Sequence, residues 1–275
     1  MNDTAARPVV IRRILVALDA SPHSLVALGA AVELAAHFKA DLLGLFVEDI
    51  NLLRLGDLPF SDELGLVSAI RRSLETTDVE RQLRARAIEV RRALQAMADR
   101  AQVRWEFQLT RGPIAEELLK AAVEVDLVIL GKKGWSPRRR QLGSTARAAA
   151  YQAPTLTLIT GLGMHAQSPI AVVFDGTALG QKALAVASAL ARFADGHLLV
   201  LILAGPDQPT DSVHAAAVAA LRTQPLQTHY RVLTLLSVGR LASMLRLEEG
   251  GTLVLPGSDE LLQHPALPAL LEETE

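Results

Sequence analysis

The chain has no cysteine among its 275 residues. That removes disulfide frameworks, thiolate metal sites and cysteine nucleophiles together, and it fits a reducing compartment. Aromatic residues make up only 4%, so any core must be aliphatic, built from the Ala, Leu and Val that dominate a composition of 50% hydrophobic residues. No uninterrupted apolar run reaches the roughly eighteen residues a membrane helix needs. The opening MNDTAARPVV carries no apolar segment of the kind that directs secretion. A cytoplasmic protein without a membrane partner is the expectation. The phosphate-binding P-loop signature is also missing.

A net excess of either charge is lacking as well, with 28 Lys and Arg against 30 Asp and Glu and a formal net charge of -2. The balance differs along the chain: residues 1–160 hold 22 Lys and Arg against 19 Asp and Glu, whereas residues 161–275 hold 6 against 11. The first part is weakly basic and the second acidic. Neither offers the broad basic surface with interleaved aromatics that nucleic-acid binding requires, so no nucleic-acid partner is expected.

What is present is a repeat, the feature to seek before any other. ILVALDAS at Ile14–Ser21 matches IAVVFDGT at Ile170–Thr177, and the same offset of 156 aligns ADLLGLFVE from Ala40 with GHLLVLILA from Gly196. LTRGPIA from Leu109 aligns with LSVGRLA from Leu236 at an offset of 127, and DLVILG from Asp126 with TLVLPG from Thr252 at an offset of 126. The order is kept, and the second copy loses roughly thirty residues in its middle. Two domains follow, residues 1–162 and 168–275, joined by a linker. Within that linker Gly161, Gly163 and Ala166 match the dinucleotide fingerprint, but Ser168 and Pro169 lead into a strand, not the helix that the fingerprint needs.

Each copy alternates short aliphatic runs, as expected for strands covered on both faces, with amphipathic stretches. In the first, strands are expected at Arg13–Leu18, Leu42–Val47, Val103–Leu109, Leu127–Leu130 and Thr155–Ile159. Helices are expected over Ser24–Phe38, along the stripe Val79, Leu83, Ala87, Val90, Leu94 and Met97, and from Pro113 in a first helical turn to near Glu124. The second copy gives strands near Ile170–Phe174, Leu198–Leu203, Tyr230–Leu235 and Leu253–Leu255, with helices from Gln181, from Asp211 and after Gly239. Strands linked by helices demand right-handed parallel crossovers, hence two tandem doubly wound α/β sheets. After Pro256 too little sequence remains for a fifth strand, so the second domain is expected to be truncated. The segment from Asp49 to Arg72 reads either as a flap over the site or as a loop packed on its own domain.

Ligands of open parallel sheets bind outside the carboxyl ends of the strands. Three features fall at such ends: Asp19, then Val47 with Glu48 and Asp49, and then GKKGWSPRRRQLGST from Gly131 to Thr145. Gly131 and Gly134 allow close backbone approach. Gly143, Ser144 and Thr145 open a helix whose free amides, hydroxyls and positive end suit a phosphate, and Lys132, Lys133, Arg138, Arg139 and Arg140 between them lie without an acidic residue. An anion is the natural guest, although glycines at tight turns and a solvated basic loop would look the same.

These motifs, VALDAS, GLFVED, GKKG followed by GST, and APTLTLIT, resemble the universal stress protein family in its tandem form, with a degenerate second domain. The spacer WSPRRRQL has one residue fewer than the family pattern. The resemblance implies the adenine nucleotide alpha hydrolase-like fold and the binding of ATP, or ADP or AMP. Asp19 would contact the adenosine, Val47 would meet the base through its backbone, and Gly131, Gly134, Gly143, Ser144 and Thr145 would hold ribose and phosphates, with Lys132 and Arg140 as further phosphate contacts. It also implies pairing through last strands, here an intramolecular pseudo-dimer, with a homodimer as a further form. In the second copy Asp175 keeps the strand-one aspartate and Gly257 with Ser258 echoes the loop entrance, but no later glycine or Gly-Ser-Thr follows. One nucleotide per chain is expected.

The seven histidines show no metal-ligand spacing, and no metal site is expected beyond a Mg ion carried with phosphates, which Glu48 and Asp49 suit. His23 reads as a solvent-facing residue before a helix. Glu116 and Glu117 complement a helix dipole. Ser144 lacks the surroundings of a nucleophile, so no catalytic residue is assigned and the protein is read as a non-enzyme. Its function is then that of a nucleotide-binding stress-response or regulatory protein. The alternatives are a ligand-free interaction module of the same fold and a slow ATPase.

Overall fold

The computed structural model describes residues 10–56, 62–64, 71–73, 76–132, 134, 143–161, 170–204, 209–233 and 252–263. The first part runs β1 (Arg13–Ala17), α1 (Pro22–Phe38), β2 (Asp41–Asp49), α2 (Ile50–Gly56), a small antiparallel hairpin β3 (Asp62–Leu64) and β4 (Arg71–Ser73), then α3 (Thr76–Arg100) and β5 (Trp105–Gly112). It continues with α4 (Ile114–Ala122), β6 (Leu127–Gly131), α5 (Ser144–Gln152) and β7 (Leu156–Thr160). The second has β8 (Ile170–Phe174), α6 (Ala178–Phe193), β9 (His197–Ile202), α7 (Thr210–Leu221), β10 (Gln227–Val232), β11 (Thr252–Leu255) and a short α8 (Asp259–Leu262). The helix expected after Gly239, and Gly163 and Ala166 of the linker, lie outside the described residues.

One nine-stranded sheet carries both copies, in the order β10-β9-β8-β11-β7-β6-β1-β2-β5. Within the first copy every pairing is parallel. The strands of the second follow the same sequence of neighbours outward from β11. The copies meet where β11 runs antiparallel to β7, with Thr252 opposite Thr160 and Leu255 opposite Thr157. β7 thus fills the place beside β11 that a fifth strand of the second copy would take. The carboxyl ends of the two strand sets therefore point to opposite rims.

Both faces of the sheet are covered, as continuous aliphatic strands require. Residues alternate between the two cores: Ile14 and Val16 of β1 pack with α1 and α3, and Leu15 packs on the α4 and α5 side. The first layer continues into α6 and α7, and the second into Leu261 of α8. α1 forms because Ser21 caps it, accepting from Ser24 N at 3.2 Å, and Pro22 suits its first position. It ends at Lys39, which is left-handed (φ 54°). In α4, Pro113 sits at the N-cap, immediately before the helix and not inside its first turn.

Candidate functional site

At the carboxyl ends of β1, β2 and β6 lies a cavity of about 530 Å³. The neighbours of β1 are reached by crossovers on opposite faces, which opens a crevice there. β1 delivers Asp19, whose Oδ1 accepts the Ser21 amide at 2.9 Å, while the Asp19 amide donates to Ser24 Oγ at 3.4 Å. Between them Ala20 is left-handed (φ 63°), a strained conformation for a residue with a side chain. β2 delivers Val47 and Asp49, whose Oδ1 accepts from the Asn51 amide at 2.9 Å. The two ends of the loop after β6 are tied down, with Lys132 N donating to Thr160 O at 2.8 Å and Gly143 N to Lys132 O at 2.9 Å.

The glycines answer first to the protein's own packing. A Cβ at Gly131 would lie 2.7 Å from the backbone carbonyl carbon and Cβ of His23 in α1, and one at Gly134 would lie 2.7 Å from Asp19 Oδ2. Gly143 gives α5 no side-chain cap, so the amides of its first turn, with Ser144 and Thr145, stand at the cavity wall.

All seven residues expected to bind the nucleotide, Asp19, Val47, Gly131, Gly134, Gly143, Ser144 and Thr145, line this one cavity. Lys132 stands beside them but does not line it. Arg140, with the rest of 135–142, lies outside the described residues. Of the acidic pair, Asp49 reaches the cavity, whereas Glu48 is buried and receives both Nε and Nη2 of Arg111 at 2.9 Å. The hydrogen bond and charge of Glu48 raise the pKa of Arg111. Glu117 is more than a complement to the α4 dipole: hydrogen bonds from Lys120 at 2.6 Å and from Thr110 Oγ1 at 2.9 Å lower its pKa. No cluster of His, Asp and Glu suited to a metal occurs among the described residues.

Several lining residues were not expected. Ser24, Leu52, Leu83, Arg86, Ile114 and Leu118 complete the walls. Arg86 is half-buried, while Arg84 in the same helix is exposed. Its place between the buried Leu83 and Ala87 in the apolar stripe of α3 was the available signal. Leu52 shows that α2, the start of the segment from Asp49 to Arg72, forms part of the wall. The cavity thus has largely apolar walls, Phe46 among them, and a polar end where α5 begins. That combination suits a ligand with an apolar part and an anionic part.

In the second copy the corresponding aspartate is sealed. Asp175 is buried, and its Oδ1 accepts from Thr177 N at 3.0 Å and Thr177 Oγ1 at 2.7 Å. Its Oδ2 accepts a hydrogen bond from Ser258 Oγ. Gly180, at the position of Ser24, is pressed against Asp175 Oδ1, and Gly176 carries the left-handed turn (φ 77°) that Ala20 carries in the first copy.

An open doubly wound α/β sheet with a helix start at a crevice on its carboxyl rim defines the class of the fold. The family model described as "Universal stress protein family" matches residues 11–160, and the chain belongs to that family. No individually curated protein matches it. Among solved structures, a universal stress protein from Archaeoglobus fulgidus is 13% identical and covers 90% of this chain and 97% of its own, with a TM-score of 0.56. UspA from Lactobacillus plantarum is 23% identical over 55% of this chain and 97% of its own, at a TM-score of 0.41. A universal stress protein solved in complex with cAMP is 22% identical over 55% and 97%, at 0.39. The likeness to the Archaeoglobus fulgidus protein speaks for the fold.

Proposed function

We propose that this chain is a nucleotide-binding stress-response or regulatory protein that takes up ATP, or ADP or AMP, in the domain of residues 1–162 and none in residues 168–275. The observation that supports the reading is the convergence of the seven named residues on one cavity with largely apolar walls and a helix start at its end. Asp19 takes the adenosine, the Val47 backbone meets the base, and Gly131, Gly134, Gly143, Ser144 and Thr145 hold ribose and phosphates, with positive charge from Lys132 and Arg140. A Mg ion arriving with the phosphates would find Asp49 at the wall. No lining residue is assigned as a general base, so the protein binds without turnover. Residues 168–275 serve as a built-in partner through the β7–β11 pairing, and the cytoplasm is the site of action. No helix among the described residues is long and apolar enough to cross a membrane.

Isothermal titration with ATP, with and without Mg, tests this. One nucleotide per chain, lost in Asp19→Ala, is the expected result. No binding at millimolar nucleotide, or two per chain, overturns it.

A further inference from the structure

The sealed Asp175 of the second copy connects physically to the cavity of the first through α5. Ser258 has two roles. Its hydroxyl donates to Asp175 Oδ2, and its oxygen accepts the Leu261 amide at 3.3 Å, so that the same side chain holds the strand-one aspartate and caps α8. α8 packs against α5, and Leu261, fully buried, shares one apolar cluster with Ala146, Ala149 and Ala150 of that helix. Just before Ser258, Gly257 lies against the chain that follows α5. A Cβ there would fall 2.6 Å from Ala153 O and 2.7 Å from Thr155 N. On its other side α5 packs on α4. The helix whose first residues line the cavity is therefore held between an element of its own copy and one from the other.

We propose that the Asp175–Ser258 pair is a positioning device for the ligand site of the first copy. Ser258 is anchored on the buried Asp175 carboxylate, and through α8 it fixes α5, so that Gly143, Ser144 and Thr145 stand in place before any ligand arrives. The buried face of α5 is made of alanines, which leave it little packing of its own, so its position depends on its neighbours. A helix end that must hold an anion is effective to the extent that it is already in position. The coupling to affinity rests on the nucleotide reading above. The coupling to α5 does not.

The test is Ser258→Ala beside Ser258→Thr, each as the full chain, read by amide hydrogen exchange over residues 144–152 and by ATP titration. Ser258→Ala is expected to speed exchange in α5 while leaving the amides of α3 at their original rates. It should weaken ATP at least roughly fivefold, the lower end of ordinary coupling between sites, and Ser258→Thr, which keeps the hydroxyl, should restore both. Faster exchange confined to residues 252–263 with α5 unchanged would overturn the proposal, as would slackening of α3 to the same extent as α5. If the wild type takes up no ATP, the nucleotide reading fails and the exchange arm still decides this one. Should Ser258→Ala not fold, Leu261→Val, which thins the contact from the α8 side by one methylene, is read for the same outcomes.

Discussion

Asp19 and Asp175 end equivalent strands and begin equivalent turns, yet one lines a cavity and the other is sealed. Four neighbours make the difference. Ala20 faces Gly176, Ser21 faces Thr177, Ser24 faces Gly180, and Lys132 faces Ser258. In the second copy the Thr177 and Ser258 hydroxyls both turn onto the carboxylate, and the missing side chain at Gly180 lets it sink inward. In the first, Ser24 fills that space and donates its hydroxyl to its own helix start, Ser21 O, at 3.0 Å, which leaves the carboxylate at the cavity wall. A buried carboxylate is tolerated when every lone pair is met, and it then adds to the structure that holds it. The same residue type at the same place is sealed or stands at a cavity wall according to where the hydroxyls around it turn.

The largest expected effect follows from removing each aspartate in turn. Asp175→Ala strips the buried Ser258 hydroxyl and the half-buried Thr177 hydroxyl of their acceptor and should cost about 3 kcal/mol, lowering the melting temperature by roughly 6–12 °C. Asp19→Ala removes a carboxylate that is only half-buried and should cost less, about 1 kcal/mol. Equal losses in thermal melts would erase the distinction between the two aspartates.

A middle-sized effect separates the two left-handed turns. Gly176→Ala should destabilise by about 1–2 kcal/mol, since a Cβ is unfavourable at that φ. Ala20→Gly should stabilise by about 0.5 kcal/mol, the relief of the same strain less the added freedom of the unfolded chain. Denaturant midpoints of opposite sign are the expected outcome. A loss in both variants would mean that the turn is not strained in the first copy.

The smallest effect lies where α1 meets α6. His37 and Phe193 occupy matching positions and stack edge to face, and Arg192 Nη2 stands 3.2 Å from His37 Nε2. Burial first and the Arg192 charge second lower the pKa of His37 below its ordinary value. The folded state therefore resists protonation. The stability that this contributes is complete above the ordinary histidine range and is lost as pH falls through the lowered pKa. His37→Phe, which makes the contact symmetric, should flatten the melting temperature between pH 7 and pH 5 relative to wild type. An unchanged slope would remove His37 from the account.

Much of this architecture was legible because the sheet is covered on both faces. Runs such as ILVAL and IAVVF have few other uses than buried strands. β10 was harder. It begins at Gln227, three residues ahead of its expected place, because an edge strand alternates polar and half-buried residues and lacks the apolar run. The pairing of β11 with β7 was hidden as well, since a strand buried on both faces carries no mark of its neighbour or of its direction. In the site, the residues at strand ends and in the Gly-Ser-Thr element could be read because backbone approach and helix starts impose residue types. Arg86 and Leu83 could not, because they arrive on a helix whose apolar stripe is already explained by the core. Ser258 shows the same limit: a residue that looked like the remnant of a cradle holds a buried carboxylate and caps a helix.

The antiparallel seam between β7 and β11 also sets how the protein responds to its own abundance. Two separate chains joined by such a strand pair would part on dilution, and their shared elements would loosen with them. Here the partner strand is tethered to the same chain, and its effective concentration is a constant of the molecule. The brace on α5 is then as complete at one copy per cell as at thousands, and the wall it holds is set independently of how much of the protein is made.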